Sequence, residues 1–225
     1  NSKSLNCSVH QMKNSLKNNI KHQNDKSQST NRNIKEIYTG SCGNNVRFSI
    51  DTTTNQTTIS GSGPMANYIS GKSPFYPYRE YIESITILDG VTSIGNNAFW
   101  LCYHLTSVTI LHGVTTIGNC AFQGCSSLTN ITIPDSVTTI GGDAFWECSS
   151  LKSIDIPNSV TSIQYGAFAY CTNLTSITIP YGLTIIEDST FFCCLSLSNV
   201  TIPNSVITIG NSAFMSCKSL PTITI

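Results

Sequence analysis

The sequence predicts a mainly β repeat solenoid, a stack of 23-residue coils that share one core. Phenylalanine, cysteine and leucine each recur every 23 residues from about residue 85 to the end. Two aliphatic residues alternate with polar ones at the end of each repeat, which is typical of a strand. The unit is also too short to cover its own apolar side chains, so neighbouring coils must cover them. The repeating positions are Phe99, Phe122, Phe145, Phe168, Phe191 and Phe214; Cys102, Cys125, Cys148, Cys171, Cys194 and Cys217; and Leu105, Leu128, Leu151, Leu174, Leu197 and Leu220.

Residues 1–36 differ from the repeats and are predicted to be a disordered or marginally helical basic tail. Eight of these 36 residues are Asn and seven are Lys or Arg. The alternative is a short amphipathic helix, because one set of apolar residues follows the spacing of a helix face. That set is Leu5, Val9, Met12, Leu16 and Ile20. The lysines of this segment are not interleaved with aromatic residues, so we favour a solvated tail over a nucleic-acid site.

Residues 37–87 are predicted to cap the open end of the stack. Val46, Phe48 and Ile50 alternate with polar residues, and a turn-like segment separates them from a return strand at 57–59, which predicts a β-hairpin. Counting back one period from the first repeat makes residues 74–87 a degenerate half repeat. Tyr76 then falls at the phenylalanine position and Arg79 at the cysteine position.

Residues 88–225 contain about six repeats, and each repeat ends in a strand that is expected to join one parallel sheet. Seven such strands are predicted, from 85–87 to 223–225. At about 4.8 Å between neighbours, this sheet would be roughly 29 Å long. A proline follows several of these strands and ends them, because it has no N–H for a ladder. The sequence stops inside the last predicted strand, which suggests a truncated array.

The other half of each coil is predicted from two short motifs. Val-Thr-Thr-Ile-Gly is expected to form a second short strand on the opposite wall. Asn-x-Ala-Phe-x-x-Cys is too short for an ordinary helix and is expected to form a helical or 3₁₀ turn that directs the phenylalanine inward. Glycine follows the second strand at Gly95, Gly118, Gly141 and Gly210, and Gln164 and Glu187 take the same position in two coils. A left-handed conformation is therefore not obligatory there.

The repeat Ile-Pro-x-Ser-Val-Thr-x-Ile-Gly-x-x-Ala-Phe-x-x-Cys-x-x-Leu-x-x-Ile-x-Ile resembles the BspA-like class of leucine-rich repeats. The resemblance covers about residues 38–225, and its 23-residue period lies in the range of that repeat class. It implies a leucine-rich-repeat-like fold and a non-catalytic, surface-displayed or secreted binding protein, often an adhesin for host proteins. The resemblance does not carry over a ligand, because such repeats share core residues while the exposed residues vary.

Composition and charge bear on where the protein is located and on whether it spans a membrane. Charged residues make up 11% of the sequence, and the formal net charge is zero. Residues 1–80 carry ten Lys/Arg and four Asp/Glu, giving +6, whereas residues 81–225 carry two and eight, giving −6. No stretch has the roughly 18 apolar residues that a membrane span needs. The chain starts at Asn1 without a recognisable signal peptide, which leaves export open.

Neither a metal site nor an active site is indicated by the sequence. Six of the ten cysteines form one column and are expected to be small buried hydrophobic residues, with disulfides along the stack as the alternative. The spacings Cys120-x₄-Cys125 and Cys193-Cys194 fit zinc binding poorly, and none of the four histidines is in a paired motif. Phosphate-loop, H-E-x-x-H and G-x-S-x-G motifs are absent. We therefore predict no enzyme activity, no metal and no cofactor.

Two exposed surfaces are candidates for binding a protein partner. The first, called the aromatic row, follows the core phenylalanines and offers the residue types that anchor interfaces. Its members are Trp100, Tyr103, Trp146, Tyr170 and Phe192. They are expected to be at least partly exposed, and the alternative is that they pack sideways on the next coil. The second, called the strand face, is hydroxyl-rich and consists of Ser107, Thr109, Asn130, Thr132, Ser153, Asp155, Ser176, Thr178, Asn199 and Thr201.

The predicted function is a binding or adhesion module at the cell surface or in secreted form. Its partner is expected to be a protein, such as a host extracellular-matrix or cell-surface protein, with no nucleic acid and no membrane span involved. Two alternatives stay open from the sequence. The repeats could be the targeting arm of a larger enzyme, or a cytoplasmic scaffold for protein interactions.

Overall fold

The computed structural model describes residues 36–221, and the predictions for the basic tail and for the strand at 223–225 lie outside this range. The described chain is a β solenoid whose strands are short. In chain order they are β1 (Ile37–Ser41), β2 (Val46–Asp51), β3 (Gln56–Gly61), β4 (Gly63–Pro64), β5 (Ser84–Ile87), β6 (Val91–Ile94), β7 (Ser107–Ile110), β8 (Thr116–Ile117), β9 (Asn130–Thr132), β10 (Thr139–Ile140), β11 (Ser162–Ile163), β12 (Ser176–Thr178), β13 (Ile185–Ile186), β14 (Asn199–Thr201) and β15 (Thr208–Ile209).

The predicted hairpin is confirmed, and it continues into the solenoid as part of one sheet. β2 pairs antiparallel with β3, and a further strand that the sequence did not indicate, β1, pairs antiparallel with β2. β3 then pairs in parallel with β5, which aligns Thr57 with Ile85. The sheet order is β1-β2-β3-β5-β7-β9. The hairpin therefore covers the first coil by extending its front sheet.

The second strand of each coil is also confirmed and builds a back wall. In the sheet order β11-β10-β8-β6-β4, the strands β6, β8, β10 and β11 pair in parallel, and β13 pairs in the same way with β15. One inward residue per strand, such as Ile117 or Ile140, is fully buried. The two walls thus enclose the core from opposite sides.

The third wall consists of turns, and the predicted helical or 3₁₀ conformation is wrong there. Within residues 36–221 the single 3₁₀ helix is Tyr76–Tyr78, and no α-helix is present. This turn wall comprises residues 95–104 and their equivalents in the later coils. Two residues per coil have a left-handed backbone, for example Asn97 with φ 53° and Leu101 with φ 60°. Side chains disfavour this conformation, so neighbouring contacts must maintain it.

Backbone hydrogen bonds between coils maintain these turns. The amides of Asn97, Phe99 and Leu101 donate to the carbonyls of residues 119, 121 and 123 in the next coil. The same three bonds recur at each of the five coil-to-coil contacts of the turn wall, with N–O distances of 2.7–3.0 Å. Within each turn, every second amide thus points to the next coil. The turn wall is therefore a third ladder, built without extended strands.

The core is a stack of phenylalanine rings along the solenoid axis. Rings from Phe99 to Phe214 lie 5.3–5.7 Å apart between centroids and within 5–16° of parallel. The stack begins at Phe75, whose ring lies 4.6 Å from that of Phe99 and 5.0 Å from that of Phe48 in the hairpin. The prediction that Tyr76 takes the phenylalanine position is thus wrong by one residue. Tyr76 instead stacks on Trp100 outside the core.

The cysteine column combines burial with hydrogen bonding. Its thiols are free, and burial raises the pKa of Cys102 to about 12. The thiols of Cys125 and Cys148 lie 3.3 Å from the carbonyl oxygens of Phe99 and Phe122 in the preceding coil and donate to them. The column thus does more than fill space, because five of its six thiols, those from Cys125 to Cys217, donate to a backbone acceptor. Disulfides along the stack are not formed in this structure.

The conserved spacing of glycine before the turns reflects close approach between coils. Gly118 has no left-handed φ, but a β-carbon there would lie 2.7 Å from the backbone nitrogen of Asn96. Gly141 and Gly210 show the same restriction against the preceding coil. Glycine at these positions therefore allows close packing between coils. The absence of a left-handed φ agrees with the expectation from Gln164 and Glu187, which occupy the same position in two coils.

The predicted single strand ladder is interrupted in the middle of the array. Within the described chain, no backbone hydrogen bond joins residues 153–156 to β9 or β12. In neighbouring coils a hydroxyl reinforces the start of the strand, as when Thr129 donates to the carbonyl of Thr106 over 3.1 Å. Lys152 has no hydroxyl for this bond. The front sheet therefore ends at β9, and a second short sheet of β12 and β14 follows.

The back wall is interrupted one coil later. No ladder bond joins β11 to β13 among the described residues. One local difference marks this contact. Gly182 replaces the serine that elsewhere donates to the preceding coil, as Ser159 does to the carbonyl of Val137 over 2.7 Å. Glu187 also replaces the glycine of its column, but Gln164 does so one coil earlier, where β10 and β11 stay paired. The turn wall continues without a gap past both interruptions.

Replacement of Phe145 by Ala should lower the free energy of unfolding by about 3–5 kcal/mol, as expected for a fully buried aromatic residue. Thr132, an exposed residue of the strand face, serves as control, and its change to Ala should cost less than about 0.5 kcal/mol. Urea denaturation of the two variants measures both values. Equal costs would contradict the ring stack as the centre of the core.

Candidate functional site

The strand face lies on the outer side of the front sheets. Eight of its ten residues are exposed, and Ser107 and Ser176 are half-buried. The parallel register aligns equivalent residues in rows along the stack, for example Thr109 with Thr132 and Thr178 with Thr201. Asp155 is the one charged member, and it lies in the coil whose strand leaves the ladder. The arrangement offers hydroxyl and amide groups at regular intervals.

The aromatic row does not form one exposed surface. Trp146 is 7% exposed and packs edge-on against Tyr170, at 5.3 Å between ring centroids. The expectation that Trp146 lies partly outside is therefore wrong, and the sideways packing on the next coil is correct for this residue. Tyr170 makes a similar edge contact of 5.4 Å with Phe192, and both are half-buried. These three side chains form one cluster in the C-terminal half.

Trp100 and Tyr103 belong to a second cluster at the N-terminal end of the turn wall. The buried Gln123 separates Trp100 from Trp146 in the column, and it accepts a hydrogen bond of 3.1 Å from the Trp100 indole. Trp100 stacks on Tyr76, with ring centroids 5.7 Å apart. Both Trp100 and Tyr103 are half-buried. The aromatic row is thus divided into two separate groups.

Sequence reasoning missed the charged residues of this second cluster. The guanidinium of Arg79 lies 4.3 Å from the ring centroid of Tyr76 and 6.0 Å from that of Tyr103. The Tyr103 hydroxyl donates to the carboxylate of Glu80 over 3.0 Å. Burial, followed by this bond to Glu80, raises the pKa of Tyr103 to about 12. A signal was present in the dense aromatic and charged segment 75–81, which periodic counting treated only as a degenerate repeat.

One carboxyl group on the turn wall has an unusual environment. Burial raises the pKa of Asp143 from 3.8 to about 6. Gly166 makes room for this group, because a β-carbon at residue 166 would lie 2.1 Å from Asp143 Oδ1. Removal of this carboxyl from water disfavours its ionised form. Ionisation of Asp143 therefore links the stability of the turn wall to pH.

No group of three or more His, Cys, Asp or Glu side chains within residues 36–221 is arranged to hold a metal ion. Over the same range, no helix is long and apolar enough to cross a membrane.

The parallel strand ladders, the turn wall and the phenylalanine stack define a leucine-rich repeat solenoid. The chain belongs to the family of BspA-type leucine-rich repeats: six copies of this repeat region match over residues 69–191 and 143–225. This family assignment agrees with the resemblance seen in the sequence.

Solved structures support the same fold. A leucine-rich repeat protein of T. pallidum is 27% identical to this chain, with a TM-score of 0.51, covering 77% of this chain and 87% of the other. A leucine-rich cell surface protein of Faecalibacterium prausnitzii is 28% identical, with a TM-score of 0.51, covering 86% of this chain and 55% of the other. No curated protein sequence matches the chain significantly.

Replacement of Trp146 by Ser should lower the free energy of unfolding by about 3 kcal/mol or more, because the indole is buried between coils. Met215 occupies the same column and is 57% exposed, so its change to Ser should cost less than about 1 kcal/mol. Thermal melts of the two variants test this difference. An unchanged Tm for the Trp146 variant would contradict the burial of the indole and show that it lies on the exposed surface.

Replacement of Asp143 by Asn should stabilise the protein at pH 7.5 and have little effect at pH 4. The folded pKa is raised, so the favourable contribution of the neutral carboxyl is present below pH 3.8 and is lost as pH rises through about 6. Melting curves of both proteins between pH 4 and pH 7.5 measure the difference in Tm. A difference that does not grow with pH would show that Asp143 ionises freely in the fold.

Proposed function

We propose that the protein is a non-catalytic binding module, displayed at the cell surface or secreted, that binds a protein partner through its strand face. The observation that carries this proposal is the exposure of the strand face along successive aligned coils. The family assignment and the likeness to a bacterial cell surface protein support the location. A host extracellular-matrix or cell-surface protein is the kind of partner we propose.

The packing of the aromatic row favours the strand face over it as the docking surface. Trp146, the central residue of the row, is occupied by contacts within the solenoid. The rings of Tyr170 and Phe192 already pack edge to face against each other. Within residues 36–221, no aromatic ring packs on the outward side chains of the strand face. Its exposed side chains are available to a partner without rearrangement of the fold.

The chemistry of the strand face indicates how the binding energy is divided. Hot spots in interfaces are rich in Trp, Tyr and Arg, and the strand face contains none of these. The partner must therefore supply the large anchoring side chains, while the hydroxyl and amide groups of this protein supply hydrogen bonds. Asp155 adds one negative charge, which suits a basic group on the partner.

Two other proposals for the class of protein remain testable. An intracellular scaffold would share the fold but not the location, and biotinylation of intact source cells distinguishes it, since a displayed protein is labelled. A targeting arm of an enzyme would be joined to a catalytic domain in a longer reading frame.

Lysine substitution of Thr132 and Thr178 should reduce capture of an extracellular-matrix protein by at least about tenfold, because two long charged side chains would stand in the docking surface. The matched control carries lysine at Thr138 and Thr184, which are exposed threonines of the back wall. Surface plasmon resonance against a panel of purified matrix proteins, with melts of both variants, provides the measurement. Equal binding by the two double variants would place the interface elsewhere on the solenoid.

A further inference from the structure

The N-terminal end of the turn wall carries a group of side chains that the repeat fold does not require. We call Tyr76, Arg79, Glu80, Trp100 and Tyr103 the cap patch. Tyr76 belongs to the 3₁₀ helix, Arg79 and Glu80 follow it directly, and Trp100 and Tyr103 come from the first full turn of the wall. Two consecutive coils therefore contribute to one surface.

Arg79 lies at the centre of the cap patch. Its Nη1 donates to the carbonyl of Tyr76 over 2.8 Å, and its Nη2 lies 3.9 Å from Glu80 Oε1. Its Nε is buried and has no hydrogen-bond partner within residues 36–221. A guanidinium has five N–H donors, so most of the donor capacity of Arg79 is unused.

The charges of Arg79 and Glu80, and the exposure of their side chains, determine which kind of ligand the cap patch can bind. The side chain of Glu80 is 55% exposed and that of Arg79 is 14% exposed. A carboxylate or phosphate approaching Arg79 would meet the Glu80 charge, and a cation approaching Glu80 would meet Arg79. A neutral molecule avoids both repulsions. It can still use the carboxylate as acceptor and the guanidinium as donor, both of which form strong charge-assisted hydrogen bonds.

The aromatic side chains add a second requirement. Tyr76, Trp100 and Tyr103 are half-buried, so each ring presents part of its surface to solvent beside the donor and acceptor. Such rings favour a ligand with an apolar face and a polar rim. A pyranose sugar combines a C–H face with neighbouring hydroxyl groups that donate and accept.

We propose that the cap patch is a glycan-binding site that takes a neutral pyranose residue. Trp100 stacks against the C–H face of the sugar, while Tyr76 supports the indole from the other side, Glu80 accepts from the sugar hydroxyls and Arg79 donates to them. This site is distinct from the strand face, because it lies on the turn wall and involves none of the strand-face residues. The two proposals can fail independently.

Tryptophan fluorescence gives a direct test, because the chain has two tryptophans and Trp146 is buried. The Trp146→Phe variant leaves Trp100 as the sole reporter, and the wild-type protein provides the same reading over a constant background if that variant folds poorly. The probes are methyl glycosides of glucose, galactose, mannose and N-acetylglucosamine and their short oligomers, up to about 10 mM, which detects dissociation constants of about 1 mM. We expect saturable change in Trp100 emission with at least one probe.

Two conservative variants and one control locate the response. Glu80→Gln and Tyr103→Phe should weaken the sugar response by about tenfold, because the first removes the charge that accepts from the sugar and the second removes the hydroxyl that orients the Glu80 carboxylate, while each keeps the shape of the side chain. Tyr165→Phe removes a hydroxyl from a 49% exposed tyrosine further along the turn wall and should leave the response unchanged. The proposal is overturned if no saccharide alters Trp100 emission, if acetate or methylguanidinium does so in place of the sugars, or if Glu80→Gln and Tyr103→Phe bind as the wild-type protein does.

Discussion

Backbone hydrogen bonding along the turn wall is the interaction on which the rest of the solenoid depends. Each coil lacks a core of its own, so its stability comes from contact with its neighbours. The front and back ladders both contain an interruption, whereas the turn wall keeps its three bonds at every contact between coils. These bonds hold the left-handed residues in their backbone conformation. The turns then place the ring of each phenylalanine on the ring of the phenylalanine in the preceding coil. The ring stack and the spacing of the strands follow from this register.

Periodicity in the sequence was sufficient to predict the solenoid, the hairpin and the buried columns, because a core residue must recur wherever its neighbour needs covering. It could not predict the left-handed turns, since Leu101 and Tyr170 are not residue types that favour a positive φ. The burial of Trp146 depends on its neighbour Tyr170 in the next coil, and a single column does not contain that information. The shift from Tyr76 to Phe75 arose because the first half repeat has one residue more between its phenylalanine and its strand than strict counting assumes.

The three walls differ in what they can do. Side chains on the front sheets project away from the core in aligned rows, so variation there leaves the fold intact. The turn wall combines backbone contacts with a local concentration of aromatic residues, and Arg79 and Glu80 lie beside the aromatic residues at the end nearest the hairpin. A single small solenoid thus offers chemically different surfaces, one rich in hydroxyls and one aromatic.

The interruptions of the front and back ladders have a mechanical consequence. The front ladder is missing on both sides of residues 153–156 and the back ladder is missing between β11 and β13, so both interruptions fall in the middle of the array. In a one-dimensional array, the least stable contact sets where the chain divides into cooperative units. Under tension, the middle coils would separate before either end, with the turn wall acting as the remaining tether. The hairpin end and the C-terminal coils would then behave as two stiff segments joined by a compliant centre.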